Sequence, residues 1–213
     1  MIDQQIRRFL DPYLTKCVSI IADTKIQPNH LTVIGFLAGA VGCFFLLCQC
    51  YLWALGFLAI NRLFDALDGS LARYRDAQKI SQTGVTDFGG YFDIVSDFIF
   101  YNGFVFFFAA GAPQFLLPAA FLMFSFVGTG TSFLAFAIFE AKHGLADKTL
   151  IPKGAMQKSF FYIGGLTEGT ETVLCFALMC LFPQCFAVLA YVFAGLCWVT
   201  TGTRIYQAYR LLK

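Results

Sequence analysis

What this sequence has least of is charge: only 13% of its 213 residues are Asp, Glu, Lys or Arg, about half the share carried by an ordinary soluble domain. A chain so poor in charge cannot cover a water-facing surface. Its 27 Phe, within an apolar fraction of 58%, exceed what one small core could hide. A soluble globule is thereby excluded, and lipid is the expected solvent. Only two His are present, His30 and His143, neither with a second His or Cys at ligand spacing, so a histidine-based metal site is excluded. No concentrated basic face accompanies the net charge of +2, which argues against a nucleic-acid partner. The eight Cys include no CxxC pair. Cys43, Cys48, Cys175, Cys180 and Cys197 lie in apolar runs and read as small buried hydrophobes. The uninterrupted apolar stretch of a signal peptide is also missing, because Asp3, Arg7, Arg8 and Asp11 punctuate the start. The N-terminus is therefore expected to stay on the cytosolic side.

Long hydrophobic runs, by contrast, are plentiful. The pattern predicts an all-α integral membrane protein with six transmembrane helices at about residues 31–49, 52–73, 88–110, 115–139, 160–182 and 185–207. At about 20 residues per span, six helices leave no room for a second soluble domain, so residues 1–213 are expected to form one unit. Ahead of them, Ile6, Phe9, Leu10, Tyr13, Leu14, Cys17, Ile20 and Ile21 recur at three- and four-residue steps across residues 2–22. That is an N-terminal amphipathic interfacial helix, resting on the headgroup layer or on the rest of the protein. Lys and Arg gather on the cytosolic side of membrane proteins. Here thirteen of the fifteen belong to the ends and loops of one face, and Arg62 and Arg204 lie about two turns inside it. The turns at Cys50, Gly111 and Pro183 carry none. Both termini are thus expected in the cytosol.

An ionisable group inside a span costs several kcal/mol unless it lines a wet cavity or meets a partner. Asp65 and Asp68 stand i,i+3 at the cytosolic end of the second predicted span, and Asp93 and Asp97 stand i,i+4 at the start of the third. Each pair shares a helix face, and four converging carboxylates repel one another until a cation separates them. Hard oxygen donors of this kind suit Mg²⁺ or Mn²⁺ bound together with substrate phosphate. Beside them, Gly69 lets a ligand approach the backbone, Arg73 offers a planar fork of donors for a phosphate, and Gly89 and Gly90 give similar access. The combination describes a diphosphate site at the cytosolic membrane surface.

The run Asp65-Ala66-Leu67-Asp68-Gly69-Ser70-Leu71-Ala72-Arg73, followed by Gly89, Asp93 and Asp97 at four-residue steps, resembles the signature of the CDP-alcohol phosphatidyltransferase family. All eight signature residues are present in order, although the fifteen residues between Arg73 and Gly89 exceed the family's usual connection. The resemblance implies a membrane enzyme that transfers a phosphatidyl or other substituted phosphate group from a CDP-linked donor to an acceptor hydroxyl, releasing CMP. It implies Asp65, Asp68 and Asp93 as principal ligands of two Mg²⁺ or Mn²⁺ ions, with Asp97 as the base and a further metal contact. Asn29, Thr32, Gly69, Arg73 and Thr86, with Asp65, would hold the CDP moiety, and Ala72 would keep the helices close. A homodimer is implied in the same way.

CDP-diacylglycerol is the expected donor, with a CDP-aminoalcohol donor of the choline or ethanolamine type as the alternative. A cation transporter is the non-enzymatic alternative, disfavoured because its acidic site should lie near the midplane. Glu168 and Glu171, in the Gly- and Thr-rich stretch 164–172, read equally as acceptor-binding groups or as a structural network, with Arg204 a candidate partner. Lys153 and Lys158 could attract a phosphorylated acceptor or anionic lipid.

Overall fold

The computed structural model describes residues 2–78, 84–143 and 167–212. All regular structure in them is helical: α1 (Ile2–Ile21), α2 (Pro28–Leu47), α3 (Tyr51–Ala77), α4 (Asp87–Gly111), α5 (Leu116–His143), α6 (Gly169–Leu181) and α7 (Phe186–Leu211). Short 3₁₀ turns at Pro113–Phe115 and Pro183–Cys185 open α5 and α7. Among the described residues, four stretches are long and apolar enough to cross a bilayer: Pro28–Leu47, Asp87–Gly111, Pro113–Phe139 and Pro183–Leu211. At 27 residues, or about 40 Å at 1.5 Å per residue, α3 has the length but carries the charges noted above.

The expected fifth span is corrected by the backbone. Residues 160–166 lie outside the described part, while Glu168 is extended, with φ −110° and ψ −175°, and the helix starts only at Gly169. The Glu171 carboxylate accepts the Glu168 backbone N–H at 3.2 Å, closing a capping arrangement that starts a helix here. Thus α6 has 13 residues, about 20 Å, less than the hydrocarbon thickness of about 30 Å.

Helix α2 begins with Pro28 at its first turn, and the Gln27 N–H donates to His30 Nδ1 at 3.3 Å. Its far end turns through Gln49, whose φ of 59° is left-handed. The Gln49 side chain donates to the Gly111 carbonyl at the end of α4, which offsets that backbone cost and ties the two helix ends. A stripe of glycine brings α2 onto its neighbours: a Cβ on Gly35 would sit 3.0 Å from Phe64 Cβ, and one on Gly42 3.1 Å from Phe57 Cβ. On Gly39 it would sit 2.7 Å from the Phe100 ring of α4. Small residues at such spacing are what close helix packing in lipid requires.

Aromatic side chains fill the half of the bundle remote from the chain ends. Phe104 stacks on Phe176 at 4.1 Å and Phe108 on Phe186 at 4.2 Å, with Tyr51 on the other side of Phe108 at 5.0 Å. Phe100, Phe104 and Phe108 are core, whereas Phe106 is exposed, as are Leu52, Trp53, Leu117 and Val188, which suit lipid. Cys43, Cys175, Cys180 and Cys197 are buried as expected, but Cys48 is exposed in the α2–α3 turn, and all eight thiols are free.

At the opposite end, α1 rests on α3 through Val18 and Ala22, which pack with Leu71. Tyr13 and Ile20 project outward. Buried Arg75 reaches from α3 to the end of α1, its Nη2 donating at 2.9 Å to the carbonyls of both Ala22 and Thr24. A guanidinium placed there satisfies carbonyls that the ending helix leaves open.

Candidate active site

Three helices meet around one cleft at the end where α3 finishes and α4 begins. From α2 come Thr32, Gly35 and Phe36; from α3, Asn61, Arg62, Asp65 and Asp68; from α4, Asp93, Ser96 and Asp97. The cleft is narrow, with a cavity volume of only about 10 Å³, and is open on one side. The i,i+3 and i,i+4 spacings do place both acidic pairs on facing surfaces, as the sequence requires. Because α3 and α4 run in opposite directions, Asp65 and Asp97 form the deeper pair, and Asp68 and Asp93 the shallower one.

The deeper pair is bridged by a side chain the sequence left without a role. Arg62 Nη2 donates to Asp97 Oδ1 at 2.7 Å, and Nη1 lies 3.6 Å from Asp65 Oδ2. The other Asp97 oxygen accepts the Tyr101 hydroxyl at 3.2 Å. Arg62 Nε donates to Asn61 Oδ1 at 2.8 Å, and buried Asn61 in turn donates to the Gly35 carbonyl at 2.8 Å. Asn61, Arg62, Ser96 and Tyr101 are thus site residues that sequence reasoning missed. The available signal was the i,i+3 step from Arg62 to Asp65; its reach to Asp97, 35 positions away, depends on how α3 and α4, each packed on α2, face each other across the cleft.

In the shallower pair, Asp68 is buried and accepts the Thr32 hydroxyl. Thr32 therefore reaches the acidic cluster, as its expected place at the head of α2 suggests. Asn29 and Thr86 converge on Gly89, one turn ahead of Asp93: a Cβ on Gly89 would sit 3.0 Å from Thr86 Oγ1 and 3.2 Å from Asn29 Oδ1. A side chain at position 89 would push into both, which accounts for glycine there. Thr86 also caps α4, its hydroxyl accepting the Gly89 N–H at 3.0 Å. At Gly69 the reason differs, because a Cβ would meet only the mobile end of Arg73, with Nη1 at 3.1 Å. Arg73 itself is exposed and donates to Ser70 Oγ at 3.2 Å. Over Gly69, then, only the end of Arg73 stands within 4 Å of the Cβ position.

The remaining candidates stand apart. Glu171 accepts the Glu168 N–H at the start of α6, and Thr172 Oγ1 donates to the Glu168 carbonyl at 2.9 Å. Gly169 nonetheless brings this helix start to the site, since its Cβ would lie 3.5 Å from the Tyr101 hydroxyl. Arg204 donates to the Thr129 carbonyl at 3.0 Å and stands over the Phe133 ring. Lys153 and Lys158 lie outside the described residues.

The donor set suits a hard divalent cation: four carboxylates and the hydroxyls of Thr32 and Ser96 line one cleft, with no soft ligand among them. Among the described residues, however, no three acidic, His or Cys side chains already converge on one point. Arg62 and Thr32 hold Asp97 and Asp68 in their present places.

The family model described as CDP-alcohol phosphatidyltransferase matches residues 25–202. An Escherichia coli K12 inner membrane protein, YnjF, is 45% identical over the whole of this chain and 98% of its own. Archaetidylinositol phosphate synthase of Pyrococcus horikoshii is 35% identical over 94 residues, 44% of this chain and 46% of its own. Among solved structures, Mycobacterium tuberculosis phosphatidylinositol phosphate synthase with CDP-DAG bound superposes with a TM-score of 0.65, covering 92% of this chain and 93% of that one. The same enzyme in complex with manganese and citrate gives 0.63 over 92% and 88%. At 16% identity these structures establish a shared membrane-protein fold. The family match runs from ahead of α2 into α7 and leaves no part of the cleft outside it. The chain is a multi-pass membrane transferase of phospholipid biosynthesis and belongs to the CDP-alcohol phosphatidyltransferase family.

Proposed function

We propose that this protein transfers the phosphatidyl group of CDP-diacylglycerol to an acceptor hydroxyl, with release of CMP and dependence on Mg²⁺ or Mn²⁺. The observation that carries this reading is the cleft itself: two facing acidic pairs, with Gly69 held open beside Arg73. The CDP-DAG-bound structure of the mycobacterial enzyme supports a CDP-linked lipid donor. The acceptor is a small alcohol or a lipid hydroxyl, entering from the side of Tyr101 and the start of α6, where Glu168 and Glu171 lie.

Within this reading, Asp65, Asp68 and Asp93 would hold the cation, which would supply charge neutralisation for the donor diphosphate and the departing CMP. Thr32 orients Asp68. Arg73 and the open backbone at Gly69 receive the diphosphate, and Asn29 and Thr86 face the nucleotide at the lip of the cleft. Asp97 accepts the proton of the acceptor hydroxyl as its oxygen bonds to the lipid-side phosphorus. The bond from that phosphorus to the bridging oxygen breaks, and CMP leaves with the electron pair. The proton on Asp97 then passes to water. Arg62 and Tyr101 hold Asp97 in one orientation, so the base needs no search at the moment of attack.

Placed in a membrane, α3 joins the four long apolar stretches as a span, short α6 stands among them beside this site, α1 lies at the interface, and both termini and the cleft face the cytosol. The charge-free turns at the opposite end support that orientation. One domain covers the chain, and the protein works as a homodimer. The decisive experiment incubates purified protein in detergent with Mg²⁺, labelled CDP-diacylglycerol and a panel of acceptor alcohols, and measures CMP. Acceptor-dependent CMP is expected, with EDTA abolishing it. Its absence with every CDP-lipid and CDP-alcohol tried would overturn the proposal.

A further inference from the structure

Resting on the membrane orientation given above, we propose that Cys48 and Cys50 are a disulfide-forming pair on the non-cytosolic face, a thiol-modification site at the end of the bundle opposite the cleft. Both thiols are exposed in the turn between α2 and α3, as is Cys185 in the turn that opens α7. Trp53, just inside α3, is exposed as well and suits the membrane interface, which sets the turn ahead of it in water. On the far side of the membrane that water is oxidising, whether it belongs to a bacterial periplasm or to the lumen of the endoplasmic reticulum, and disulfides form and persist there.

The backbone holds the two cysteines within reach of each other. Cys48 ends α2, Gln49 is left-handed, and the N–H groups of Gln49 and Cys50 donate to the Leu46 and Phe45 carbonyls at 2.9 and 2.8 Å. This is a Schellman closure, in which glycine ordinarily takes the left-handed place. Two residue steps span about 7 Å at full extension, and the left-handed turn shortens them into the Cα separation of about 4.4–6.8 Å that a disulfide accepts. The Cys50 side chain folds back over its neighbour, its thiol donating to the Cys48 carbonyl at 3.6 Å. The turn is also clamped from α4, since Gln49 donates to the Gly111 carbonyl and a Cβ on Gly111 would meet the Leu46 and Leu47 carbonyls at 2.6 and 2.7 Å. Cys185 is not the partner: Cys50 precedes Tyr51 and Cys185 precedes Phe186, and those two rings stack on either side of Phe108. Oxidation proceeds by exchange with a protein disulfide of that compartment. One cysteine thiolate attacks a sulfur of the oxidant and displaces its first thiolate; the other then attacks the mixed disulfide and displaces the second. The pair gives up two protons and two electrons, and the oxidant leaves as a dithiol.

The test counts free thiols. The full chain is produced in a bacterial inner membrane, the cells are quenched in acid, and the denatured protein is alkylated with N-ethylmaleimide before and after reduction. All eight cysteines should label after reduction, and two fewer before it, with peptide mass spectrometry assigning the missing pair to Cys48 and Cys50. Cys185→Ser should keep that deficit, and Cys48→Ser should abolish it. Full labelling of wild type before reduction, a deficit that disappears in Cys185→Ser, or a wild-type dimer linked by a disulfide would overturn the inference. Orientation is read separately, with a membrane-impermeant maleimide on reduced, intact spheroplasts, where Cys50 and Cys185 should label. Labelling only after lysis would remove the orientation and this inference together, whereas labelling of intact spheroplasts combined with full labelling before reduction would refute the pair alone. CMP release should be equal in wild type and Cys48→Ser, because the pair stands at the other end of α3 from the cleft. A chain that forms the pair and releases no CMP would support this inference while refuting the proposed function.

Discussion

Replacing Asp97 by Asn changes one proton-accepting group and almost nothing else, which makes it the sharpest probe of this site. The amide has the size of the carboxylate. Its oxygen can keep the 2.7 Å bond from Arg62 Nη2, and its NH₂ can donate to the Tyr101 hydroxyl now 3.2 Å away. Arg62 retains Asp65 at 3.6 Å as a charged partner. The structural cost is the weakening of one charge-assisted hydrogen bond, about 1–2 kcal/mol, so the variant should fold and bind donor. Loss of a general base, in contrast, lowers rate by about 10²–10⁴-fold, or about 3–5 kcal/mol of transition-state stabilisation. CMP release at saturating labelled CDP-diacylglycerol, set beside equilibrium donor binding and thermal unfolding in the same detergent, separates the two effects. Turnover within about tenfold of wild type would refute the assignment. So would a loss of donor binding large enough to account for the whole fall in rate.

Other substitutions test the scaffold. Gly69→Ala meets only the end of Arg73, so its unfolding temperature should hold while the KM for donor rises at least about tenfold, the change for one lost contact of about 1.4 kcal/mol; equal KM values would show that the space is not a donor space. Gly39→Ala would set a Cβ 2.7 Å from buried Phe100, an overpacking worth about 1–3 kcal/mol, whereas Gly56→Ala, with nothing within 4 Å, should stay within about 0.5 kcal/mol of wild type or gain in stability; detergent unfolding curves compare them. Arg75→Met leaves the Ala22 and Thr24 carbonyls without their donor, at about 1–3 kcal/mol for each group that stays buried, and should speed hydrogen exchange across the α1–α2 connection ahead of global unfolding. Chelation followed by Mg²⁺ readdition should abolish and restore CMP release without altering the helical circular dichroism.

Much of this arrangement could be read from the sequence because lipid imposes a simple rule. Long, mostly apolar runs became α2, α4, α5 and α7, and the same rule made the carboxylates of α3 and α4 conspicuous as exceptions. What could not be read were features set by packing between distant elements. Arg62 pairs with Asp65 by spacing, but with Asp97 only because α3 and α4 both pack on α2 and face each other there. Gly35, Gly39 and Gly42 looked like ordinary members of an apolar run, and their use in bringing α2 onto Phe64, Phe100 and Phe57 shows only in three dimensions. Tyr101 read as one more aromatic in a Phe-rich helix until its hydroxyl met Asp97. The stretch around Glu168 misled in the other direction: its apolar continuation suggested a long span, whereas Glu171 claims the Glu168 N–H and starts a short helix.

The polarity of α3 bears on how the chain enters its membrane. A helix with Asn61, Arg62, Asp65 and Asp68 along one face is a poor substrate for solitary insertion, since each charged residue at depth opposes partitioning by a few kcal/mol. The preceding α2 has no charged residue in Pro28–Leu47 and offers, in the Gly35 carbonyl, a ready acceptor for Asn61. With only the Cys48–Cys50 turn between them, the two helices can cross the translocation machinery as one hairpin, α2 carrying α3 into the bilayer. On this view the glycine stripe has a role before any substrate arrives: it lets the hairpin close tightly enough for its polar seam to leave water without facing lipid.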